Sequence, residues 1–317
     1  MSLSGKVGAL ALVLAGWAPT AGAATFQVNS VADAADLLPG DGRCATAEGE
    51  CTLRAAVQEA NALAGADVVQ VPAGLYVLSL AGADEDAGAT GDLDVLDDLH
   101  VVGAGRAATV LDGNLSDRLF HGAEGITLRL EALTLQRGQV AGDTGMGGAV
   151  LAEGGLELVD VAVWANTAVD GGGIFAAGEL YLVDSILEDN TADRGGGLFV
   201  AVSGAATLEG GTLNANVARE GAGVYAQGGL TVRASTLIAN RADFQGGGAY
   251  LETDGTFKTS AVRDNSAEEA GAGVYAQGGA LTVYRTRFDA NRLTSNYGAG
   301  AGLYVGPAGR LTLTESA

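Results

Sequence analysis

The chain has 317 residues, 48% of them hydrophobic, with 38 acidic against 17 basic side chains and a formal charge of −21. Such a surface repels nucleic acid and anionic membranes, so neither is an expected partner. No Pro- or Ser-rich linker interrupts the chain after about Leu75, which favours one elongated domain over two.

Met1 to Ala24 combine a lone Lys6, an apolar run from Val7 to Ala18 and Ala21-Gly22-Ala23 before a break. That grammar is a secretory signal peptide and not a membrane span, and without a Cys it excludes a bacterial lipid anchor. No later run is apolar and long enough to span a bilayer, so a secreted or cell-surface location is expected. Residues 25–74 read as an N-terminal cap. Cys44 and Cys51, the only cysteines, lie seven apart across a Gly/Glu-containing loop, and in an exported protein they are expected to form a disulfide. A metal pair there lacks nearby His partners. After Cys51, Leu53, Val57, Ala60 and Ala64 fall on one helical face; this short helix is expected to plug an end where strand edges would otherwise lie open.

From 75 to 317 the chain repeats, most regularly from about 147. GAGVYAQGG occurs at Gly221 and again at Gly271, fifty residues on, and fifty is two units. The closing asparagines Asn166, Asn190, Asn216, Asn240, Asn265 and Asn291 are spaced by 24, 26, 24, 25 and 26. Each unit opens on a Gly-rich turn such as GGAV at Gly147, GGGIF at Gly171 or GAGLY at Gly300. Inside it, apolar residues alternate with polar ones, as at Leu156/Leu158 and Leu281/Val283, which is the strand period. A unit this short, holding two or three strands, has to stack on copies of itself at roughly 4.8 Å per coil. A propeller blade or a leucine-rich repeat fits the spacing less well. The expected fold is all-β, a single-stranded right-handed parallel β-helix with a short capping helix. Glycine supplies the positive φ at the opening corner, Asn is the next most tolerant residue for a closing corner, and stacked Asn amides can form a hydrogen-bonded ladder.

GGAV at Gly147 and FDAN at Phe288 resemble the GGA[ILV] and FxxN signatures of polymorphic outer-membrane β-helix repeats. CTLRAAVQEANAL at Cys51 is similar to the N-terminal Cys-Ser-Leu-Arg-Glu-Ala segment of secreted bacterial right-handed parallel β-helix proteins, with Thr52 in place of Ser and Ala55 in place of Glu. GDLDVLDDLHVVGAG and TVLDGNLSDRLF look like the first coils of that family. The resemblance implies a fold and leaves the function open.

Chemistry-bearing residues are sparse. Of the Asn-Thr-Asp, Asp-Asp, Gly-His-Gly and Arg-Ile-Lys segments on which β-helix polygalacturonases rely, only Asp97-Asp98 is present. That pair is the catalytic candidate for a lyase or glycosidase, and its setting reads as strand and turn. His100 and His121 read as isolated structural residues, so no metal site is assigned. The acidic runs Asp84-Glu85-Asp86 and Asp92 to Asp98 offer oxygen ligands for calcium without the spacing of a β-roll or an EF-hand. One pattern stands out. Phe175, Phe199, Tyr225, Tyr250, Tyr275 and Tyr304 follow the Gly corner in six consecutive coils, beside the aliphatic column Ile174, Leu198, Val224, Ala249, Val274 and Leu303. Alternation points the aliphatics inward and the aromatics outward, as a stripe for glycan contact. The expected function is non-catalytic adhesion or glycan binding, with a polysaccharide-cleaving enzyme and a structural envelope spacer as alternatives. The unfinished last coil creates the expectation of a further domain or a partner chain at the C-terminal end.

Overall fold

The computed structural model describes residues 22–82, 85–142 and 145–317. Apart from its last three residues, the signal-peptide segment lies outside them.

A coil begins at a residue only glycine can supply. At Gly171 φ is +67°, and an added Cβ would lie 2.2 Å from the Ile174 carbonyl oxygen, so any side chain would collide with backbone. The coil from there runs through four strands, Ile174–Ala176, Glu179–Val183, Ile186–Glu188 and Thr191–Arg194, before the next corner at Gly195. Each strand pairs in parallel with its counterpart one coil on, as in Ile174↔Leu198 and Leu198↔Val224. The result is a parallel β-solenoid with four walls. Among the described residues they hold, in coil order, nine strands (wall 1), eleven (wall 2), nine (wall 3) and five (wall 4). Among the described residues the strands of wall 4 begin at Thr191, isolated parallel bridges carry its column back through Thr167 to Gln139, and the wall exceeds the two or three strands per coil expected from the sequence. Its inward residues Ala218, Ala242 and Ala267 are small and its other positions polar, so it carries no strong apolar alternation and reads as loop. The aliphatic positions of walls 1 to 3 form one continuous core along the axis.

The closing corner differs from expectation in one respect. The left-handed residue is not Asn but the one before it: Ala165, Asp189, Ala215, Ala239, Asp264 and Ala290 have φ between +51° and +58°. That bend turns the following Asn inward, where its amide is worth more. Asn166, Asn190, Asn216 and Asn240 each donate from Nδ2 to the Oδ1 of the next at 2.9–3.0 Å, and Asn265 does the same to Asn291. The backbone N–H of each bonds the same oxygen, and the second amide hydrogen reaches a carbonyl of the preceding coil, such as Leu187 for Asn216. Every polar atom of these buried side chains is thereby satisfied. A second left-handed corner, at Asp184, Ala234, Thr259 and Arg285, precedes a column of Ser185, Ser235, Ser260 and Thr286 whose hydroxyls accept backbone N–H groups one coil back.

The N-terminal end is closed by helix α1, Leu53–Ala62, whose N-cap Thr52 accepts from the Ala55 N–H. Residues Leu53 to Ala60 are buried on every side and not on one face. Chain before the helix wraps its outer side: the Asp36 N–H bonds Gln58, the Gly40 N–H bonds Glu59, and the Thr52 hydroxyl donates to the Ala34 carbonyl. Ala64 lies beyond the helix end. Cys44 and Cys51 form a disulfide in this wrapping segment, with Cα atoms 5.0 Å apart.

Candidate functional site

Three polar residues at i, i+4 and i+7 of α1, hence on one face, hold the segment that follows the cap. Arg54 pairs with Asp33 at 2.7 Å and donates to the carbonyls of Gly88, Gly91 and Asp92. Gln58 donates to the Gly88 carbonyl, and Asn61 donates to the Asp94 carbonyl while accepting from the Leu96 N–H. The helix therefore fixes the backbone of residues 88–96, which include the first strand of wall 1, Leu93–Val95.

On that strand Asp94 points away from the core and sits beside His121 of the next coil. His121 Nδ1 is 3.2 Å from Asp94 Oδ1, and the other Asp94 oxygen accepts the Gly88 N–H at 2.7 Å. Beside them opens a cavity of about 260 Å³, lined by Glu85, Asp86, Asp92, Ser116, Asp117, Arg118, His121 and Gln139 among others. Burial, reinforced by the charges of Asp94 and Asp117, pushes the Asp92 carboxyl up to about 7 against a weaker pull from Arg118. Burial also raises Asp117, whereas the hydrogen bond to Asp94 raises His121. A carboxyl titrating near neutrality beside a carboxylate, an imidazole and a guanidinium suits proton transfer or the holding of a cation.

In the sequence, Glu85, Asp86, Asp92 and Asp94 fall within the two acidic runs that offer oxygen ligands for calcium, whereas Ser116, Asp117, Arg118 and Gln139 carry no assigned role. The reading of His121 as isolated is corrected: it has a carboxylate partner, as does His100, whose Nε2 is 3.0 Å from Glu131 Oε2 with Arg129 alongside. Burial, then Arg129, lowers the His100 pKa. The signal that finds the site is register. On wall 1 the outward column reads Asp94, His121, Leu151, Phe175, Phe199 and then the four tyrosines, so the pocket pair occupies the N-terminal end of the aromatic column.

Asp97 and Asp98 lie outside this pocket. Asp97 accepts from the N–H groups of Gly65 and Asp98, and Asp98 accepts from that of Thr127; both carboxylates cap turns.

The aromatic column leaves the main core, and its aliphatic neighbours from Ile174 to Val274 are fully buried. The stripe is nonetheless not an open platform. Phe199, Tyr225 and Tyr250 are only 2%, 5% and 7% exposed. The six rings stack on one another with centroids 4.7–5.2 Å apart, within 4–6° of parallel except 23° between Tyr250 and Tyr275. Arg194 covers Phe199 and Tyr225, the Tyr225 hydroxyl bonds Glu252 at 2.6 Å, and that of Tyr250 bonds Gln277. Ring faces that sequence reasoning assigned to a ligand are occupied by neighbouring rings, because strand spacing in a parallel stack is close to ring-stacking distance. Phe175, Tyr275 and Tyr304 are half-buried.

Comparison with family models, with curated proteins and with solved structures returned no match. Among the described residues no helix is long and apolar enough to cross a membrane.

Proposed function

We propose that the chain is exported and acts at or beyond the cell surface as a non-catalytic solenoid that binds an extended glycan along a repetitive outer face. One observation carries this reading. On wall 2, Thr207, Thr231, Thr256, Thr282 and Thr312 stand in register in five successive coils on the outward side, and among the described residues no hydrogen bond engages their hydroxyls. A polymer laid along the solenoid meets the same group at every coil, roughly 4.8 Å apart, so weak contacts add. The aromatic column contributes through its half-buried members Phe175, Tyr275 and Tyr304, while Phe199, Tyr225 and Tyr250 serve mainly as a stiffening spine. The disulfide and the N-terminal grammar support export.

Retention on polymeric glycans tests the reading. Thr231→Val, Thr256→Val and Thr282→Val together keep shape and β-propensity but delete three hydroxyls, and are expected to weaken retention at least tenfold with unchanged circular dichroism. Reducing-sugar and unsaturated-product assays on the same sample are expected to stay blank. Product formation would favour a polysaccharide-cleaving enzyme. Absence of wild-type binding to every glycan tried would leave the spacer role.

A further inference from the structure

We propose that Asp86, Asp94 and His121 hold a divalent transition-metal ion, with zinc as the representative. Asp86 comes from the first acidic run, Asp94 from the second and His121 from the next coil, and one donor atom from each lies within 4.8 Å of the others. A metal bonded to oxygen and nitrogen at about 2.0–2.2 Å needs donors a little over 3 Å apart, and Asp94 Oδ1 and His121 Nδ1 already stand 3.2 Å apart. The other Asp94 oxygen is fixed by the Gly88 N–H, which is how a ligating carboxylate is oriented from behind.

An independent feature of the same cavity points to a missing positive charge. The Asp92 side chain is 10% exposed and, among the described residues, accepts no hydrogen bond. Among the described residues its one ion-pair partner is Arg118, whose Nε is 3.4 Å away and is itself without a hydrogen-bond partner. A buried carboxylate so poorly compensated is costly, and a cation at Asp86, Asp94 and His121 would supply the compensation. His121 Nε2 is likewise buried without a hydrogen bond. An imidazole among the donors favours a first-row transition ion over calcium or magnesium, which take oxygen alone. Three protein donors leave coordination positions facing the cavity, where water or a ligand oxygen fits.

The test is zinc chloride titrated by calorimetry into the full chain after chelator treatment and dialysis, with manganese and calcium as parallel arms. One equivalent of zinc is expected to bind saturably. His121→Gln and Asp86→Asn are each expected to weaken it at least tenfold while melting as cooperatively as wild type, and His100→Gln is expected to leave it unchanged. Asp86 is exposed, so its substitution keeps the test valid even where a buried variant misfolds. Absence of saturable zinc binding, equal affinity in wild type and either site variant, or calcium bound more tightly than zinc would overturn the proposal. The site lies outside the threonine face, so failure of glycan binding and failure of metal binding are separate results.

Discussion

At the residue scale the left-handed corners separate positions by what a side chain meets. Gly171 has no room for a Cβ, whereas Ala215 and Ala239 carry one at φ +52° and +55°, a conformation costing roughly 1–2 kcal/mol for a residue that is not glycine. Ala239→Gly is therefore expected to stabilise the protein by about 1 kcal/mol in denaturant melts, less the entropy glycine adds to the unfolded chain. The opposite sign is expected one residue later. Asn240→Leu leaves the backbone N–H and amide of Asn216 without their acceptor and should cost about 2–4 kcal/mol, since orphaned buried donors cost about 1–3 kcal/mol each. A loss below about 0.5 kcal/mol would show that the ladder is ornamental.

At the element scale, α1 and the ring stack each hold neighbouring structure. Arg54→Met leaves Asp33 buried and unpaired and frees the carbonyls of Gly88, Gly91 and Asp92. A cost of about 3–5 kcal/mol is expected, together with faster hydrogen exchange in residues 88–96. Loss confined to residues 53–62 would mean that the helix does not organise the pocket. In the stack, burial first and then the bond to Glu252 raise the Tyr225 phenol above its ordinary range, and burial raises Tyr250. A pKa raised on folding gives stability that is complete below the unfolded value of about 10 and is lost as pH climbs through the folded values. Unfolding free energy should thus fall above about pH 10, and the double variant Tyr225→Phe with Tyr250→Phe should flatten that fall. Ultraviolet titration is expected to show two phenols ionising only as the fold is lost.

At the scale of the whole molecule, the first and last coils of the described solenoid differ in how they are covered. The N-terminal end lies under α1 and its wrapping segment. The last wall-2 strand, Arg310–Thr314, is exposed throughout, with Leu311 and Leu313 at 44% and 53%. Unpaired N–H and carbonyl groups beside apolar side chains form a template for further strands. For a polypeptide that stops at Ala317, sedimentation is expected to show association that grows with concentration, reduced by Leu311→Lys with Leu313→Glu. The formal charge of −21 opposes such contacts, so added salt should strengthen association by screening. A monomer at every concentration and salt level would remove this edge as a docking surface.

What the sequence determined by itself is everything that recurs. The period, the parallel pairing, the glycine corners, the inward Leu/Val columns and the Cys44–Cys51 pair were legible because each coil meets the same local constraint and writes it again. Gly171 and Gly221 answer one steric demand, and Leu180 and Leu208 one burial. The tertiary structure alone decided what depends on neighbours one coil away or on parts that occur once. Wall 4 escaped because small Ala and polar residues carry little alternation. The ring faces read as available because their occupancy depends on the separation between coils. The grouping of Asp86, Asp92, Asp94, Asp117 and His121 depends on Arg54 drawing residues 88–92 against the cap, an arrangement made once, with no second copy of its sequence to reveal it.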